Sequence, residues 1–240
     1  MRLTFTIQRF NPETDQHPHQ EEYRLDIGRG MTVLEALIRI KNELDGRLAL
    51  RYSCRSAICG SCAMHINGTE KLACRTSIRK ELERHGRITI EPLPNLPVIK
   101  DLVVDMSPFW EKIRSVTPWL TPITHPTKRY GSSGQLRLLP ETYNFHNVDA
   151  CIMCGACVAA CPNAAAMLFM GAKIVHLGEL PQGQPERWTR VVNMVGQHDL
   201  EGFGGCTNIG ECAAACPKEI PLDVISQLNS DLRKAMAKGL

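Results

Sequence analysis

Alternating apolar and polar positions at the start of the chain predict a β-strand at residues 2–9, and a second strand at 22–26 can return beside it. Further short strands are predicted at 63–66, 70–73 and 87–91. Asn67-Gly68 has the composition of a tight hairpin turn between the first two of these. The first part of the chain is therefore expected to contain a small sheet.

A helix is predicted between the second and third strands. Thr32 has the character of an N-cap, with Glu35 in the first helical turn. Apolar residues then fall on one face at helical spacing: Val33, Leu34, Leu37, Ile38 and Leu44. The first half is thus a mixed sheet crossed by one helix.

Helical spacing becomes the main pattern after the prolines at 92, 94 and 97. The segment 98–120 has apolar residues at loosely helical intervals: Met106, Phe109, Trp110, Ile113 and Val116. Residues 127–136 have the composition of an exposed loop. Pro221 can open a last helix with one apolar face: Leu222, Ile225, Leu228 and Leu232. We predict two domains, a mixed one at 1–100 and a mostly helical one at 101–240.

Composition is that of an ordinary globular protein, except for its cysteines. The 240 residues are 43% hydrophobic, and 28 Lys and Arg against 25 Asp and Glu leave a charge of +3, too even to indicate nucleic acid as a partner. Eleven cysteines is an odd number, and no secretory signal pattern opens the sequence, so a disulfide framework is not expected. Clustered thiols instead indicate metal or redox chemistry in a reducing compartment.

One uncharged stretch has the length of a membrane span. No charged residue lies between Asp149 and Lys173. The stretch contains four cysteines and Pro162, and a backbone that wraps thiols around metal cannot also satisfy its own polar groups in lipid. We expect a soluble or peripherally attached chain, in which residues 150–172 offer an apolar face to a partner.

The first cysteine group has the spacing C-x4-C-x2-C with one further cysteine downstream. This is the plant-type ligand spacing of a [2Fe-2S] cluster. Gly60 and its small neighbours keep the backbone close to such a cluster. A zinc site is the alternative, but four-cysteine zinc sites more often pair two hairpins with two cysteines each. The predicted [2Fe-2S] ligands are Cys54, Cys59, Cys62 and Cys74.

The second half contains CIMCGACVAACP at residues 151–162, the bacterial ferredoxin spacing C-x2-C-x2-C-x3-C-P. In two-cluster ferredoxins the fourth cysteine of such a run binds the other cluster, so one run requires a second. CTNIGECAAACP at residues 206–217 supplies it, with Ile209 in place of the middle cysteine. The predicted ligands are Cys151, Cys154, Cys157 and Cys216 for a [4Fe-4S] cluster, and Cys161, Cys206 and Cys212 for a [3Fe-4S] cluster.

These sets of four, four and three use all eleven cysteines and leave no thiol for nucleophilic catalysis. A missing thiolate also removes negative charge, which favours the oxidising end of a chain of redox centres for the three-iron cluster. No carboxylate pair or phosphate-binding glycine motif is evident, and Gly202, Gly204 and Gly205 are expected to form the turn into Cys206. The predicted function is electron transfer through three centres.

Other side chains that carry chemistry are expected to be ordinary. Because sulfur occupies every predicted iron position, we expect surface or core roles for four histidines: His65, His146, His176 and His198. The three tryptophans are expected in the core rather than at a partner interface: Trp110, Trp119 and Trp188.

The ordered motifs resemble the iron-sulfur subunit of succinate dehydrogenase and fumarate reductase, the succinate:quinone oxidoreductase family. The resemblance covers nearly the whole chain and is carried by SCRSAICGSCAMHINGTEKLAC, MSPFWEKI, CIMCGACVAACPN and CTNIGECAAACPK. It implies an α+β protein, with an N-terminal β-grasp domain of the plant-type ferredoxin kind and an α-helical two-cluster domain of the bacterial ferredoxin kind.

The same resemblance implies a subunit of a membrane-bound oxidoreductase. Electrons would pass in the order FAD, [2Fe-2S], [4Fe-4S], [3Fe-4S], quinone. The FAD belongs to a flavoprotein subunit that handles succinate or fumarate, and the quinone site lies against a membrane-anchor subunit. The implied location is the cytoplasmic face of the membrane, reached through these partners.

Near the quinone, the sequence departs from ubiquinone-linked members, which have tryptophan soon after the proline of the first row and histidine after the first cysteine of the second. Here three alanines follow Asn163, and Thr207 follows Cys206. The resemblance implies three quinone-proximal residues, Pro162, Thr207 and Ile209, and the departure suggests a menaquinone-type partner with a rearranged site. A free ferredoxin-like carrier and a zinc-scaffolded interaction module are the alternative functions.

Overall fold

The computed structural model describes residues 1–120 and 148–240. The predicted loop at 127–136 and His146 lie outside these residues. A five-stranded mixed sheet with two helices forms the first part and a helical bundle the second, so the chain is an α+β protein as predicted. The elements of the first part are β1 (Arg2–Arg9), β2 (His19–Asp26), α1 (Val33–Arg39), β3 (Ala63–Ile66), β4 (Thr69–Leu72), α2 (Ile78–His85) and β5 (Ile88–Glu91).

The strand order in the sheet is β2-β1-β5-β3-β4. β1 pairs antiparallel with β2 and parallel with β5, whereas β3 pairs antiparallel with both β4 and β5. Side chains of β1 and β5 share one buried core with the apolar face of α1, among them Phe5, Ile7, Ile88, Ile90, Leu34 and Leu37. The predicted arrangement of a mixed sheet crossed by a helix is therefore confirmed.

α1 begins at the predicted N-cap. The Thr32 hydroxyl oxygen accepts a hydrogen bond of 3.3 Å from the Glu35 N–H, and the Glu35 carboxylate accepts one of 2.8 Å from the Thr32 N–H. The helix then widens into one π-helical turn at Ile40–Leu44. Ile40 is fully buried in this turn, whereas Leu44 is 52% exposed, so its predicted place on the buried face is wrong.

The sequence correctly predicted the turn between β3 and β4, but it gave no prediction of α2. Asn67 and Gly68 both have positive φ angles, 50° and 81°, as a type I′ turn requires. α2 is the sequence IRKELERH, and only Ile78 and Glu81 are buried in it. Its helical pattern is short, with Ile78 and Leu82 as the two apolar residues at helical spacing, and the sequence prediction did not include it.

The linker between the two parts folds differently from the prediction. A short hairpin of β6 (Val98–Lys100) and β7 (Val103–Val104) precedes α3 (Ser107–Ser115), so only these nine residues of the predicted helical segment at 98–120 are helical. Leu102 packs into the core of the sheet, whereas Leu93 packs into that of the helices. The division into domains at residue 100 stays a prediction, because this segment contributes to both cores.

The second part is built from helices of two sizes. α5 packs against both α6 and α8, and α4 packs against α7. The last helix starts two residues after Pro221, and its Ile225 and Leu228 are buried as the spacing predicted. The helices are α4 (Ala156–Ala159), α5 (Met167–Glu179), α6 (Arg187–Leu200), α7 (Glu211–Ala214) and α8 (Asp223–Ala237).

Most of the uncharged stretch is used inside the protein. Nine of the thirteen residues of α5 are buried, and Ala156, Ala159, Ala165 and Ala166 are buried before it. The expected apolar docking face at 150–172 is therefore wrong for most of its length, although Met153 is 44% exposed. Among the described residues, no helix combines the length and apolar character needed to cross a bilayer.

Two of the three tryptophans lie on the surface, contrary to the prediction. Trp110 is 50% exposed and Trp119 is 49% exposed. Trp188 is half-buried, with the Arg187 guanidinium and the Lys238 ammonium 5.2 and 5.4 Å from its ring centroid. Trp110 fits the helical spacing of α3 but lies on the side of the helix that faces away from the core.

Candidate iron-sulfur centres

The loop that carries the first three cysteines connects α1 to β3 and has no regular secondary structure. Three of its residues have positive φ angles of 55°, 55° and 73°: Arg55, Ala57 and Gly60. These bends turn backbone N–H groups toward sulfur. Three N–H groups donate to the Cys54 sulfur at 3.3 Å, namely those of Ser56, Ile58 and Cys59.

The cysteines of this first group are held in two different environments. Hydrogen bonds from the Ser56, Cys59 and Ile58 backbone lower the pKa of Cys54 to about 6, which favours the thiolate form that binds metal. Cys62 is 3% exposed, and burial raises the pKa of its thiol to about 12. A buried thiol of this kind loses its proton when it binds a metal cation.

Cys74 reaches the loop through the β3–β4 hairpin. The Ala73 N–H donates a hydrogen bond of 3.0 Å to the Cys62 carbonyl oxygen, which brings Cys74 beside Cys62. The structure thus brings together a loop of N–H groups, three thiols from that loop and one distant thiol. This donor set fits the predicted [2Fe-2S] cluster.

The two cysteine rows of the second part are built alike. A glycine with positive φ precedes a four-residue helix in each, Gly155 before α4 at 80° and Gly210 before α7 at 94°. Cys154 comes directly before the first glycine, and Ile209 comes directly before the second. The sequence repeat is therefore also a structural repeat, with Ile209 at the position of a cysteine.

The short helices α4 and α7, one from each cysteine row, pack against each other. Burial raises the pKa of Cys151, Cys154 and Cys157, with Cys154 at about 11, and the nearby charge of Cys216 raises each of them further. Cys216 belongs to the second row, yet it lies with three thiols of the first. The four predicted [4Fe-4S] ligands are therefore brought together.

The remaining three cysteines form a second group in this part. Burial raises the pKa of Cys212, and the charges of Cys161 and Cys206 add to the increase. Cys161 belongs to the first row and thus crosses in the opposite direction to Cys216. The exposed Ile209 adds no sulfur to the group, which matches the donor set expected for a [3Fe-4S] cluster.

The thiol sets described above do not have the geometry of ligands around a single metal ion. Across residues 1–120 and 148–240, no three His, Cys, Asp or Glu side chains converge as they would around a single metal ion. In an iron-sulfur cluster the cysteine thiolates bind different irons, so they do not converge on one point. Ligation of iron by the named cysteines stays a prediction.

The three predicted quinone-proximal residues lie on the surface beside the third thiol set. Asn163, which the prediction did not include, directly follows Pro162 and forms a hydrogen bond with Thr207. Its amide donates hydrogen bonds of 3.0 Å to the Gly205 carbonyl oxygen and 3.2 Å to the Thr207 hydroxyl oxygen. Gly204 also packs so closely that a Cβ there would lie 1.8 Å from the Asn163 carbonyl oxygen. Two of the three glycines predicted to form the turn into Cys206, Gly204 and Gly205, thus contact Asn163 in the turn after Pro162.

The described histidines that were predicted to be ordinary make contacts within the protein. His65 Nδ1 lies 3.0 Å from Glu70 across the β3–β4 hairpin. His198 is 2% exposed, and its Nε2 accepts a hydrogen bond of 3.3 Å from the Ala166 N–H at the start of α5. Burial lowers the pKa of His176 on α5. These contacts are those of ordinary structural histidines.

Comparisons with known proteins agree with the two thiol-rich regions. The family model of the 2Fe-2S iron-sulfur cluster binding domain matches residues 4–111, and that of the 4Fe-4S dicluster domain matches residues 147–220. The fumarate reductase iron-sulfur subunit of Mycobacterium tuberculosis is 38% identical over 227 residues, which cover 91% of this chain and 87% of that protein. The subunit of the same name from Haemophilus influenzae is 35% identical over 235 residues, covering 94% and 91%.

A solved structure has the same fold. A chain of the Mycobacterium smegmatis Sdh1 complex in the apo form superimposes with a TM-score of 0.74 at 23% identity, covering 99% of this chain and 96% of that one.

The fold and the two matched domains define the class of protein, an electron-transfer subunit of an oxidoreductase that carries [2Fe-2S] and 4Fe-4S dicluster domains. This chain belongs to the family of fumarate reductase iron-sulfur subunits, which confirms the resemblance seen in its motifs.

Proposed function

We propose that the eleven cysteines hold three clusters in the sets given above, with [3Fe-4S] as the third. Each cluster, when bound, supplies a centre that takes up and gives back one electron. The observation that carries this proposal is the exchange of Cys161 and Cys216 between the two rows. That exchange produces one set of four thiols and one of three, with Ile209 at the position of the missing fourth ligand.

The chain would relay electrons between the FAD of a flavoprotein subunit and a quinone at a membrane-anchor subunit. The names of its relatives support this role, since succinate and fumarate chemistry needs a partner that binds the dicarboxylate. The protein's own residues contribute ligands, N–H donors and spacing. Attachment to the cytoplasmic face of the membrane, through these partners, is part of the same proposal.

The ligand assignment is tested by Ile209→Cys, with Ile209→Val as the matched control. Electron paramagnetic resonance and iron and sulfide analysis would be done on the anaerobically purified full-length chain. We expect a three-iron signal in the oxidised unaltered protein and in the Ile209→Val control, and its conversion to four-iron behaviour in the Ile209→Cys variant. Two four-iron clusters in the unaltered protein, or an unchanged spectrum in the Ile209→Cys variant, would contradict the assignment.

The relay itself is tested by affinity purification of the chain from its native membranes. We expect a flavin-containing subunit and a membrane subunit to copurify. A monodisperse chain that carries its clusters and recovers neither partner would favour the free ferredoxin-like carrier. Colourless protein that contains zinc and no acid-labile sulfide would favour the interaction module.

We further propose a menaquinone-type partner near Pro162, Thr207 and Ile209. Its support is chemical: Asn163 and Thr207 supply the polar groups there, and this subunit has no tryptophan or histidine at the corresponding positions. Binding of both quinone classes to the assembled complex is the test, and a preference for ubiquinone would end this part of the proposal.

A further inference from the structure

The first thiol set touches the second at Gly60. A Cβ built on this glycine would lie 2.8 Å from the Cβ and 3.2 Å from the Cα of Cys154. Gly60 directly follows Cys59, and Cys154 is itself a predicted ligand of the second cluster. Any side chain at position 60 would therefore force the two ligand loops apart.

A second contact between the same two sets is made by Arg75. This residue directly follows Cys74, and its Nη1 donates a hydrogen bond of 2.6 Å to the carbonyl oxygen of Pro217, the residue after Cys216. Its Nη2 lies 3.0 Å from the carboxylate of Glu219. The contact joins positions 142 residues apart in the chain.

The two contacts have a common plan. Each pairs a neighbour of a first-set ligand with a second-set ligand or its neighbour. Cys154 and Cys216 belong to the same predicted set, so that set is held against the first one from two sides. Ile152 adds an apolar contact, because it packs against the core of the sheet domain. We name these four residues the cluster junction: Gly60, Arg75, Cys154 and Pro217.

We propose that the cluster junction sets the separation between the first and second clusters and is the crossing point for electrons, with Gly60 and Arg75 as positioning residues. This inference rests on the proposed function. When bound, the two clusters would exchange one electron, oxidising one centre as the other is reduced, with no bond formed or broken; Gly60 and Arg75 would fix the distance between the two sets of ligands. Because transfer rates fall steeply with distance, a small displacement of the loops would slow the transfer.

Gly60→Ala tests the steric part of the inference, and Gly68→Ala is its matched control. Both glycines have positive φ, 73° and 81°, so both substitutions strain the backbone. Nothing lies within 4 Å of a Cβ at Gly68, whereas one at Gly60 meets Cys154. Only Gly60→Ala should therefore move the loops.

The measurement is the microwave-power saturation of the reduced [2Fe-2S] signal in the full-length, cluster-loaded complex. The potential must be low enough to make the second cluster paramagnetic, as verified by signal integration. We expect Gly60→Ala to saturate at severalfold lower power, because a more distant second spin relaxes the first less effectively. Gly68→Ala should keep the unaltered value. Unchanged saturation in a fully loaded Gly60→Ala protein would overturn the steric role.

Arg75→Gln tests independently whether the contacts of Arg75 with Pro217 and Glu219 hold the two thiol sets together. This variant keeps the inference testable even where Gly60→Ala fails to load its clusters. Arg79→Gln is the control, because Arg79 pairs with Glu83 on the same helix, at 2.9 Å. We expect weaker spin coupling for Arg75→Gln alone. Intact clusters with unaltered spin coupling in the Arg75→Gln variant would overturn the positioning role of Arg75. Absence of the cluster signals from the unaltered protein would instead contradict the proposed function.

Discussion

The guanidinium of Arg9 and the carboxylate of Asp101 form a buried ion pair, with Nε 3.0 Å from Oδ1, although the two residues are 92 positions apart in the chain. Asp101 is 1% exposed and also accepts hydrogen bonds from the Phe10 N–H at 3.1 Å and the Ala49 N–H at 2.7 Å. One carboxylate thus ties the end of β1 to the segment after α1 and to the turn between β6 and β7.

Asp101→Asn should destabilise the protein by about 3 kcal/mol, because it removes the carboxylate that pairs with Arg9 Nε and turns an amide NH2 group toward buried donors. Arg9 keeps its ion pairs with Glu21 and Asp45. The free energy of unfolding would be measured by urea denaturation of the cluster-loaded chain. Glu43→Gln is the control, since it removes only an exposed pair with Arg39, and it should leave the midpoint unchanged. Equal midpoints for the two variants would contradict the prediction.

His65 should make stability depend on pH. The hydrogen bond to Glu70 raises the pKa of His65 above its ordinary 6.5, against the opposing effect of burial. The protonated form is favoured in the folded state, so this contribution is fully present below pH 6.5 and is lost as pH rises through the folded-state pKa. We expect unfolding midpoints of the unaltered protein to fall over this window relative to His65→Gln. Parallel pH profiles for the two proteins would refute the prediction.

A second buried ion pair joins α6 to α8. Arg187 Nε lies 2.9 Å and Nη2 3.1 Å from the two carboxylate oxygens of Asp231, which is fully buried and also accepts a hydrogen bond of 2.9 Å from Gln227. Asp231→Asn should cost about 3 kcal/mol of unfolding free energy. A double-mutant cycle with Arg187→Gln should give a coupling of about 1 kcal/mol or more. Additive effects in the cycle would show that the pair does not act as a unit.

Asn163→Ala should loosen the loop that carries Cys206, since the Asn163 amide holds the Gly205 carbonyl and the Thr207 hydroxyl. Two surface hydrogen bonds of this kind are worth about 1 kcal/mol together. We expect the signal of the proposed three-iron centre to be lost at lower temperature, with the [2Fe-2S] signal unaffected. Asn229→Ala on the exposed face of α8 is the control. Simultaneous loss of both signals would mean that the effect is global.

Local patterns predicted the parts of the fold that are set locally. The capping box at Thr32 and the turn at Asn67-Gly68 follow from interactions within a few residues, and both are present. Helical spacing also placed Ile225 and Leu228 on one face of α8, and both are buried. The prediction that Leu44 lies on the buried face was wrong because a π-helical turn changes the helical phase, which spacing alone does not reveal. The prediction that Trp110 lies in the core was wrong because tertiary packing decides which side of α3 faces the core.

Cysteine spacing determined the kind of chemistry, because a short loop can surround a cluster only when its ligands fall at fixed intervals. It also predicted which thiols pair across the two rows. Position was decided by contacts between residues far apart in the chain. Local sequence does not predict the contacts of Gly60 with Cys154, Arg75 with Pro217 or Asn163 with Thr207, because close approach and hydrogen-bond geometry arise only after distant segments of the chain have packed together.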